Sequence, residues 1–290
     1  MTATTLAPPA GPSKRLAVSP ARALNGAYAF FERNWNLTRR YAAWELVWLV
    51  YSLANALTIL FIAAATERIT GQRVDTGHLV LYLLIGTIVW SYLSAVFDIM
   101  AETIAYERWE GTIEYTLMAP VPRFVHLLGT CAFGITYAAL RGTIMFAVIV
   151  LIFGIDLSRA NFASAALVGA LGSVSVVGLA IFVGILPLLF TERGTQMTFV
   201  IHSTLLLVSG IYYPVDVLPG WLRIASPLSP ITYVLRSIRA ALLEGAPPAA
   251  LAGDLAMMAL LGALLVPAGM AAFGAAERYA KRTGKLKRSG

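Results

Sequence analysis

Six apolar segments, each near the length of one bilayer crossing, constrain the fold of this chain more than any other feature. A helix needs about 20 consecutive apolar residues to cross the hydrocarbon core. Such segments lie at about 44–65, 79–101, 127–153, 162–190, 196–213 and 249–276. Only 13% of the 290 residues are charged, against about a quarter in soluble domains. The sequence therefore predicts an all-α integral membrane protein with six transmembrane helices.

Lysine and arginine are distributed unevenly between the segments that connect these spans. With the N-terminus in the cytoplasm, the inner segments hold fifteen of the 22 basic residues, the outer segments hold six, and Arg141 lies within the third span. Cytoplasmic segments of membrane proteins carry such an excess. We therefore expect both termini in the cytoplasm, and the positive charge indicates membrane orientation rather than nucleic-acid binding. The abundance of Ala, Gly and Arg is typical of a bacterium, so the expected location is a bacterial cytoplasmic membrane.

The two ends of the chain differ from its apolar middle. Residues 1–20 contain four prolines among small polar residues and are predicted to be disordered. Residues 281–290 form a basic cytoplasmic tail that is expected to contact anionic lipid. Between 21 and 41, aromatic residues and leucines share a helical repeat with arginines, which predicts an amphipathic helix in the headgroup plane, with a solvated helix as the alternative. Residues 21–280 are then one transmembrane domain.

The longest charged interruption, residues 102–122, separates the second and third spans. Its charged residues are Glu102, Glu107, Arg108, Glu110 and Glu114. Apolar residues recur between them at helical spacing, Gly111 predicts a break, and the prolines at its end stop any helix. The pattern predicts a docking surface for a soluble partner, with a solvated loop as the alternative.

Residues 214–245, before the last span, are too patterned for a plain loop. Prolines divide the first half, and Ser229 as N-cap with Pro230 at the first helical position predicts a helix with one apolar stripe. Arg236 and Arg239 fall on its polar face. We predict two short re-entrant helices that dip into the outer leaflet, with a surface-lying helix as the alternative.

Ionisable residues inside the spans are candidates for function, because an isolated charge in hydrocarbon is costly. Arg141 lies in the middle of the third span, and Asp98 and Glu102 end the second. We expect one carboxylate to form a structural ion pair with Arg141, and a functional role for these charges stays open.

No motif of a nucleotide-hydrolysing or metal enzyme occurs in the sequence. No glycine-rich loop ends in Gly-Lys-Ser or Gly-Lys-Thr, the three histidines are far apart, and no HExxH occurs. We therefore expect a transport subunit that binds no nucleotide, cofactor or metal of its own and is not itself an enzyme.

Two stretches of the sequence resemble two motifs of one known family of membrane proteins. YERWEGTIEYTLMAPVPR, at residues 106–123, is similar to a Glu-Arg, Gly-Thr, Glu-Leu and Ala/Ser-Pro pattern between spans two and three of a known family. SPLSPITYVLRSIRAALLEG, at 226–245, is similar to its Asn-Pro-Leu-Thr-Tyr segment, although Ser229 stands where asparagine is usual and Ile231 replaces leucine. Over about residues 22–280 the chain resembles the membrane subunit of ABC-2-type (type V ABC) exporters.

The resemblance implies a half-transporter that lacks its ATPase. Two copies of a separate cytoplasmic ABC ATPase would bind ATP and Mg²⁺ and assemble with two membrane subunits, expected to be identical. Glu107, Arg108, Glu110 and Glu114 would form a coupling helix seated in the ATPase, and Arg193 would lie in a second contact.

The resemblance also implies a substrate path between the first, second and fifth spans of the two copies. The residues expected to line it are Phe199, Thr204, Tyr212 and Tyr213. Those expected in an extracellular re-entrant gate are Pro230, Tyr233 and Arg236.

The resemblance thus implies ATP-driven export, and the leading hypothesis is an amphipathic substrate, such as a drug, a natural product or a lipid-linked molecule. A polysaccharide or glycolipid exporter shares the layout and is the first alternative, which an aromatic-lined tunnel would favour. A secondary transporter is a more distant alternative, because the internal repeats typical of that class are not found.

Overall fold

The computed structural model describes residues 19–284 except 72, 74, 120 and 191, and the regular elements in this part of the chain are helices. The all-α prediction is confirmed. The predicted disordered tail lies outside the described residues apart from its last two positions, and so do residues 285–290 of the basic tail.

Ten α-helices make up the described fold. In chain order they are α1 (Pro20–Arg40), α2 (Ala42–Thr70), α3 (Thr76–Trp109), α4 (Ile113–Met118), α5 (Arg123–Phe153), α6 (Phe162–Leu189), α7 (Gly194–Val208), α8 (Gly220–Arg223), α9 (Pro230–Leu243) and α10 (Ala252–Arg282). Within the described residues, α2, α3, α5, α6 and α10 are the five that are long and apolar enough to cross a membrane. They coincide with five of the six predicted spans.

The fifth predicted span, residues 196–213, is longer than the helix that forms there. α7 has only 15 residues and is followed by a turn at Gly210, which has a φ of 72°. A glycine permits this left-handed conformation without steric cost. At about 1.5 Å per residue α7 measures about 22 Å, which is less than the roughly 30 Å of a hydrocarbon core. Tyr212 and Tyr213 therefore lie beyond the helix.

α7 nevertheless connects the two ends of the helix bundle. At one end, the backbone of Gly194 lies against Pro187, near the C-terminus of α6. At the other end, the Ser209 and Ser229 hydroxyl oxygens are 2.8 Å apart, which joins the end of α7 to the start of α9. Ser229 thus occupies the predicted N-cap position, but its side chain makes no capping hydrogen bond.

Two ion pairs place the described termini of the chain at one end of this bundle. Arg33 of α1 pairs with Glu107 near the end of α3, and Arg123 at the start of α5 pairs with Glu277 near the end of α10. We call this the elbow end, because the connection between α3 and α5 lies there.

The segment before the last span enters the bundle from the opposite end. Single 3₁₀ turns at Val215–Val217, Ser226–Leu228 and Pro248–Leu251 flank α8 and α9. A Cβ added to Gly172 would lie 2.6 Å from Val234 Cγ2 of α9. Gly172 is ten residues into α6, so α9 reaches about 15 Å along that helix.

Candidate functional site

A cavity of about 420 Å³ lies between α2, α3 and α5. Its polar lining includes Ser52, Asn55, Ser91, Ser94, Asp98 and Arg141, and its apolar lining includes Trp48, Tyr51, Trp90, Met145 and Tyr212. On α2 the lining positions 48, 52, 55 and 59 follow steps of three or four residues, as do positions 87, 91, 94 and 98 on α3. Each helix therefore presents one continuous face to the cavity.

Arg141 is held by α2 and by its own helix. Its Nη2 donates to the Trp48 carbonyl oxygen at 2.7 Å and to the Ser52 hydroxyl, while Nη1 donates to the Tyr137 hydroxyl at 3.4 Å. Tyr137 in turn donates to the Glu45 carboxylate. The expected ion pair with Asp98 or Glu102 is not formed within the described residues, because these acceptors on α2 and α5 already receive the guanidinium.

Asp98 therefore faces the cavity without an ion pair to a described arginine or lysine. Its side chain is 47% exposed, and its Oδ1 lies 3.9 Å from His202 Nε2 on α7. Glu102, one helical turn further along α3, is exposed and is not part of the cavity lining. The three predicted intramembrane charges thus occupy three different environments.

The predicted docking segment contains the last turns of α3 and the short helix α4, separated by a break. α3 continues eight residues past the predicted end of its span, and the predicted break is confirmed at Gly111, which has a φ of 76°. Glu107 and Arg108 belong to the last turn of α3 and are buried. Both residues were expected in the docking surface, but in this conformation neither side chain is exposed.

The buried Arg108 guanidinium donates hydrogen bonds to carbonyl oxygens at the C-terminal end of α6. Its Nη1 donates to the carbonyl oxygens of Pro187 and Leu188 at 3.2 and 2.7 Å. The last carbonyls of a helix lack intrahelical partners and carry partial negative charge, so a guanidinium is favourable at this position.

α4 is the exposed part of the segment. Ile113 and Leu117 point into the core, while Glu114, Tyr115 and Met118 are exposed. Glu110, in the turn before α4, is exposed as well. α4 therefore presents both acidic and apolar side chains at the elbow end.

Arg123 fixes the position of α4, a role that was not predicted from the sequence. Its guanidinium donates to the carbonyl oxygens of Thr116 and Leu117 and, through Nε, to both Glu277 carboxylate oxygens at 3.0 and 3.1 Å. The sequence did offer one signal for the contact with α4, because a basic residue that follows a helix can bind its last carbonyl oxygens. Its partner on α10, 154 positions away, had no sequence signal.

Arg193 lies in the short connection between α6 and α7, and its side chain is exposed. Thr191, in the same predicted second contact, lies outside the described residues. Arg193 and α4 are both at the elbow end, because Gly194 packs against the end of α6 that Arg108 contacts.

The four residues predicted to line a substrate path do not lie together. Phe199 is 63% exposed and Thr204 is also exposed, both on the outer face of α7. Tyr213 donates from its hydroxyl to the Leu207 carbonyl oxygen at 2.6 Å. Only Tyr212 lies in the cavity lining.

The predicted gate residues hold α9 in place. Pro230 is buried, Tyr233 donates to the Pro227 carbonyl oxygen at 3.1 Å, and Arg236 pairs with Asp254 at the start of α10. The hydrogen bonds with Asp254 raise the pKa of Arg236 above its ordinary value.

Arg239, predicted on the polar face of α9, packs against the rest of the bundle. Its guanidinium carbon lies 3.6 Å from the centre of the Tyr82 ring, and its terminal nitrogens donate to the carbonyl oxygens of Gly210 and Ile211 at 2.9 and 2.6 Å. The loop after α7 supplies these acceptors, and their proximity to α9 is a product of the tertiary fold.

Residues 27–243 match the family described as ABC-2 type transporter. This range is most of the chain and runs from α1 to the end of α9, so it includes both the elbow and the segment that enters the opposite end of the bundle. The chain belongs to the ABC-2 type transporter family.

Two relatives illustrate the similarity. The inner membrane transport permease YadH of Escherichia coli strain K12 is 22% identical over 196 residues, which cover 67% of this chain and 75% of YadH. Nodulation protein J of Rhizobium meliloti strain 1021 is 28% identical over 213 residues, which cover 69% of this chain and 77% of that protein.

Membership of the ABC-2 type transporter family identifies the chain as the membrane subunit of an ABC transporter that works with an ABC ATPase subunit. The match to an inner membrane permease and the five long apolar helices make it a multi-pass inner-membrane protein.

Proposed function

We propose that this permease exports an amphipathic substrate, such as a drug, a natural product or a lipid-linked molecule, out across the cytoplasmic membrane. The observation that carries the proposal is the cavity between α2, α3 and α5, where serines and two charged residues face aromatic rings. Trp48 and Tyr51 line this cavity and are also 45% and 60% exposed, so it borders the outer face of α2. A molecule with polar and apolar parts suits such a lining.

The functional unit is a pair of identical permeases with two copies of the ATPase. The outer face of α2 is mainly apolar, with Trp44, Val47, Val50 and Phe61 all more than half exposed. A second copy on this side would enclose a cavity that one chain leaves open. ATP and Mg²⁺ bind to the ATPase, and this chain supplies the path.

Coupling to the ATPase takes place at the elbow end, which the distribution of Lys and Arg predicts to be cytoplasmic. Glu110 and Glu114, with the exposed Tyr115 and Met118, form the contact, and Arg193 contributes a second one. Arg123 contacts both α4 and Glu277 of α10, so a displacement of α4 is transmitted to α10 through it. Glu107 and Arg108 anchor the elbow from the inside and transmit movement without touching the ATPase.

A polysaccharide or glycolipid exporter is the second candidate, and the aromatic series on α2 favours it. The rings of Trp44 and Trp48 are 6.2 Å apart and those of Trp48 and Tyr51 are 5.7 Å apart, both edge to face. Continued from a second copy, this series would offer the flat surfaces on which sugar rings stack.

The test uses the permease co-purified with its ATPase and reconstituted in liposomes. Amphipathic drugs and lipid-linked oligosaccharides are compared for stimulation of ATP hydrolysis and for ATP-driven transport. Ser94→Trp, which fills the cavity, is expected to abolish stimulation and transport. Leu264→Trp, on the exposed face of α10, is the matched control and is expected to leave both intact.

Equal transport by Ser94→Trp and Leu264→Trp would show that the cavity is not on the path. Stimulation by the oligosaccharides alone would replace the drug or lipid proposal with the glycan one. A permease that purifies without any ATPase would contradict the assembly proposed for it.

A further inference from the structure

We infer that the cavity recognises a positively charged group, with the Asp98 carboxylate as its counter-ion. The substrates would then be organic cations with an apolar or aromatic body. The inference rests on the proposed function, because it names the substrate class for the same cavity.

Asp98 presents its carboxyl oxygens to the cavity. In the described part of the chain no arginine or lysine forms an ion pair with it, and the nearest basic atom is His202 Nε2 at 3.9 Å. That separation is longer than a hydrogen bond, and His202 Nε2 is itself buried without a hydrogen-bond partner. With 47% of its side chain exposed, Asp98 can receive a cation from the cavity.

Arg141, the other charged residue of the cavity, does not compete for this role. Both terminal nitrogens already donate to acceptors on α2 and α5. Its Nε has no hydrogen-bond partner but is buried, so a ligand in the cavity cannot reach it. Three N–H donors of Arg141 are thus engaged by neutral acceptors on α2 and α5, whereas the acceptor oxygens of Asp98 pair with no described arginine or lysine.

The aromatic lining is also suited to an organic cation. Trp48, Tyr51, Trp90 and Tyr212 all border the cavity. Organic cations are attracted to the faces of such rings, and tryptophan is the strongest of them. A carboxylate beside several rings is the combination that binds quaternary or delocalised cations.

The experiment compares two ions of nearly the same shape and opposite charge. The complex of permease and ATPase in lipid nanodiscs, without nucleotide, is titrated with radiolabelled tetraphenylphosphonium and, separately, with tetraphenylborate. Binding to empty nanodiscs of the same lipid is subtracted. We expect saturable binding of the cation only.

Three variants locate the site. Asp98→Asn should weaken tetraphenylphosphonium binding by about tenfold or more, because an ion pair in a partly buried site is lost. Asp98→Glu keeps the charge and should stay within about threefold of the parent, which separates loss of charge from misfolding. Glu67→Gln removes an exposed acid at the far end of α2 and should bind like the parent.

Unchanged affinity in Asp98→Asn, or saturable binding of tetraphenylborate as tight as that of the cation, would overturn the inference. ATP-driven transport is measured on the same complexes and tests the proposed function separately. Asp98-dependent binding without ATP-driven transport would leave cation recognition standing and reject export. Transport of an amphiphile that persists in Asp98→Asn would support export and reject cation recognition by Asp98.

Discussion

Arg33 on α1 and Glu107 on α3 form an ion pair across 74 positions of the sequence, with Nη1 and Oε1 2.6 Å apart. The Glu107 side chain is fully buried, and His126 Nε2 of α5 lies 3.4 Å from the same oxygen. The His126 ring also packs on Phe30 of α1, with the ring centroids 4.5 Å apart. One carboxylate therefore holds the amphipathic N-terminal helix against two of the long helices.

Replacing Glu107 by Gln should loosen this attachment. Breaking a buried ion pair costs about 3–5 kcal/mol, but the Arg33 side chain is 38% exposed and solvent screens part of that. We expect a loss of about 1–3 kcal/mol and a fall in Tm of several degrees, measured by differential scanning fluorimetry in detergent. Glu110→Gln, in the exposed turn nearby, is the control. Equal Tm values for the two variants would contradict the anchoring role.

Reversing the charge on the exposed elbow should impair coupling to the ATPase. Glu110→Arg or Glu114→Arg places a positive charge on the surface proposed to contact the ATPase. We expect the substrate-stimulated ATPase rate of the complex to fall by about tenfold, with normal membrane insertion and normal Tm. Glu67→Arg, at the opposite end of the bundle, should have no such effect. Full coupling in both elbow variants would refute the assignment of these acids.

The contact between Gly172 and Val234 should tolerate no added methyl group. Gly172→Ala places a Cβ 2.6 Å from Val234 Cγ2, and overpacking of this kind costs about 1–3 kcal/mol. Gly169→Ala, on the same helix with nothing within 4 Å, should be neutral or slightly stabilising, because alanine favours a helix more than glycine does. The double variant Gly172→Ala/Val234→Ala should lose less stability than the sum of the single changes. Strict additivity in the cycle would argue against the contact.

Arg239 should resist replacement by lysine. A lysine ammonium cannot stack on Tyr82 and donate to the carbonyl oxygens of Gly210 and Ile211 at the same time. Each hydrogen bond from a charged donor is worth about 1.5–3 kcal/mol, so Arg239→Lys should lower the Tm clearly. Arg223→Lys changes an exposed arginine on α8 and serves as the control. A Tm shift no larger than that of the control would show that Arg239 does not secure the loop.

Local sequence was sufficient for most of the helical pattern. Five long apolar runs became five long helices, Ser19 and Pro20 begin the amphipathic helix, and the break at Gly111 forms where it was expected. These features depend on hydrophobic periodicity, on prolines at helix starts and on glycines at positive φ, each of which acts within a few residues. The exception is α7, because a turn at Gly210 ends the helix although the apolar run continues.

The tertiary structure alone decided the partners of the charged residues. The sequence predicted that Arg141 pairs with Asp98 or Glu102, yet Arg141 turns to α2 and Asp98 faces a cavity. Likewise Glu107 and Arg108 lie in a charged motif but are buried by α1 and α6. Composition and spacing determine that a residue is charged and which face of its helix it occupies. Its partner depends on which helix packs against that face, and that is settled by contacts between residues far apart in the chain.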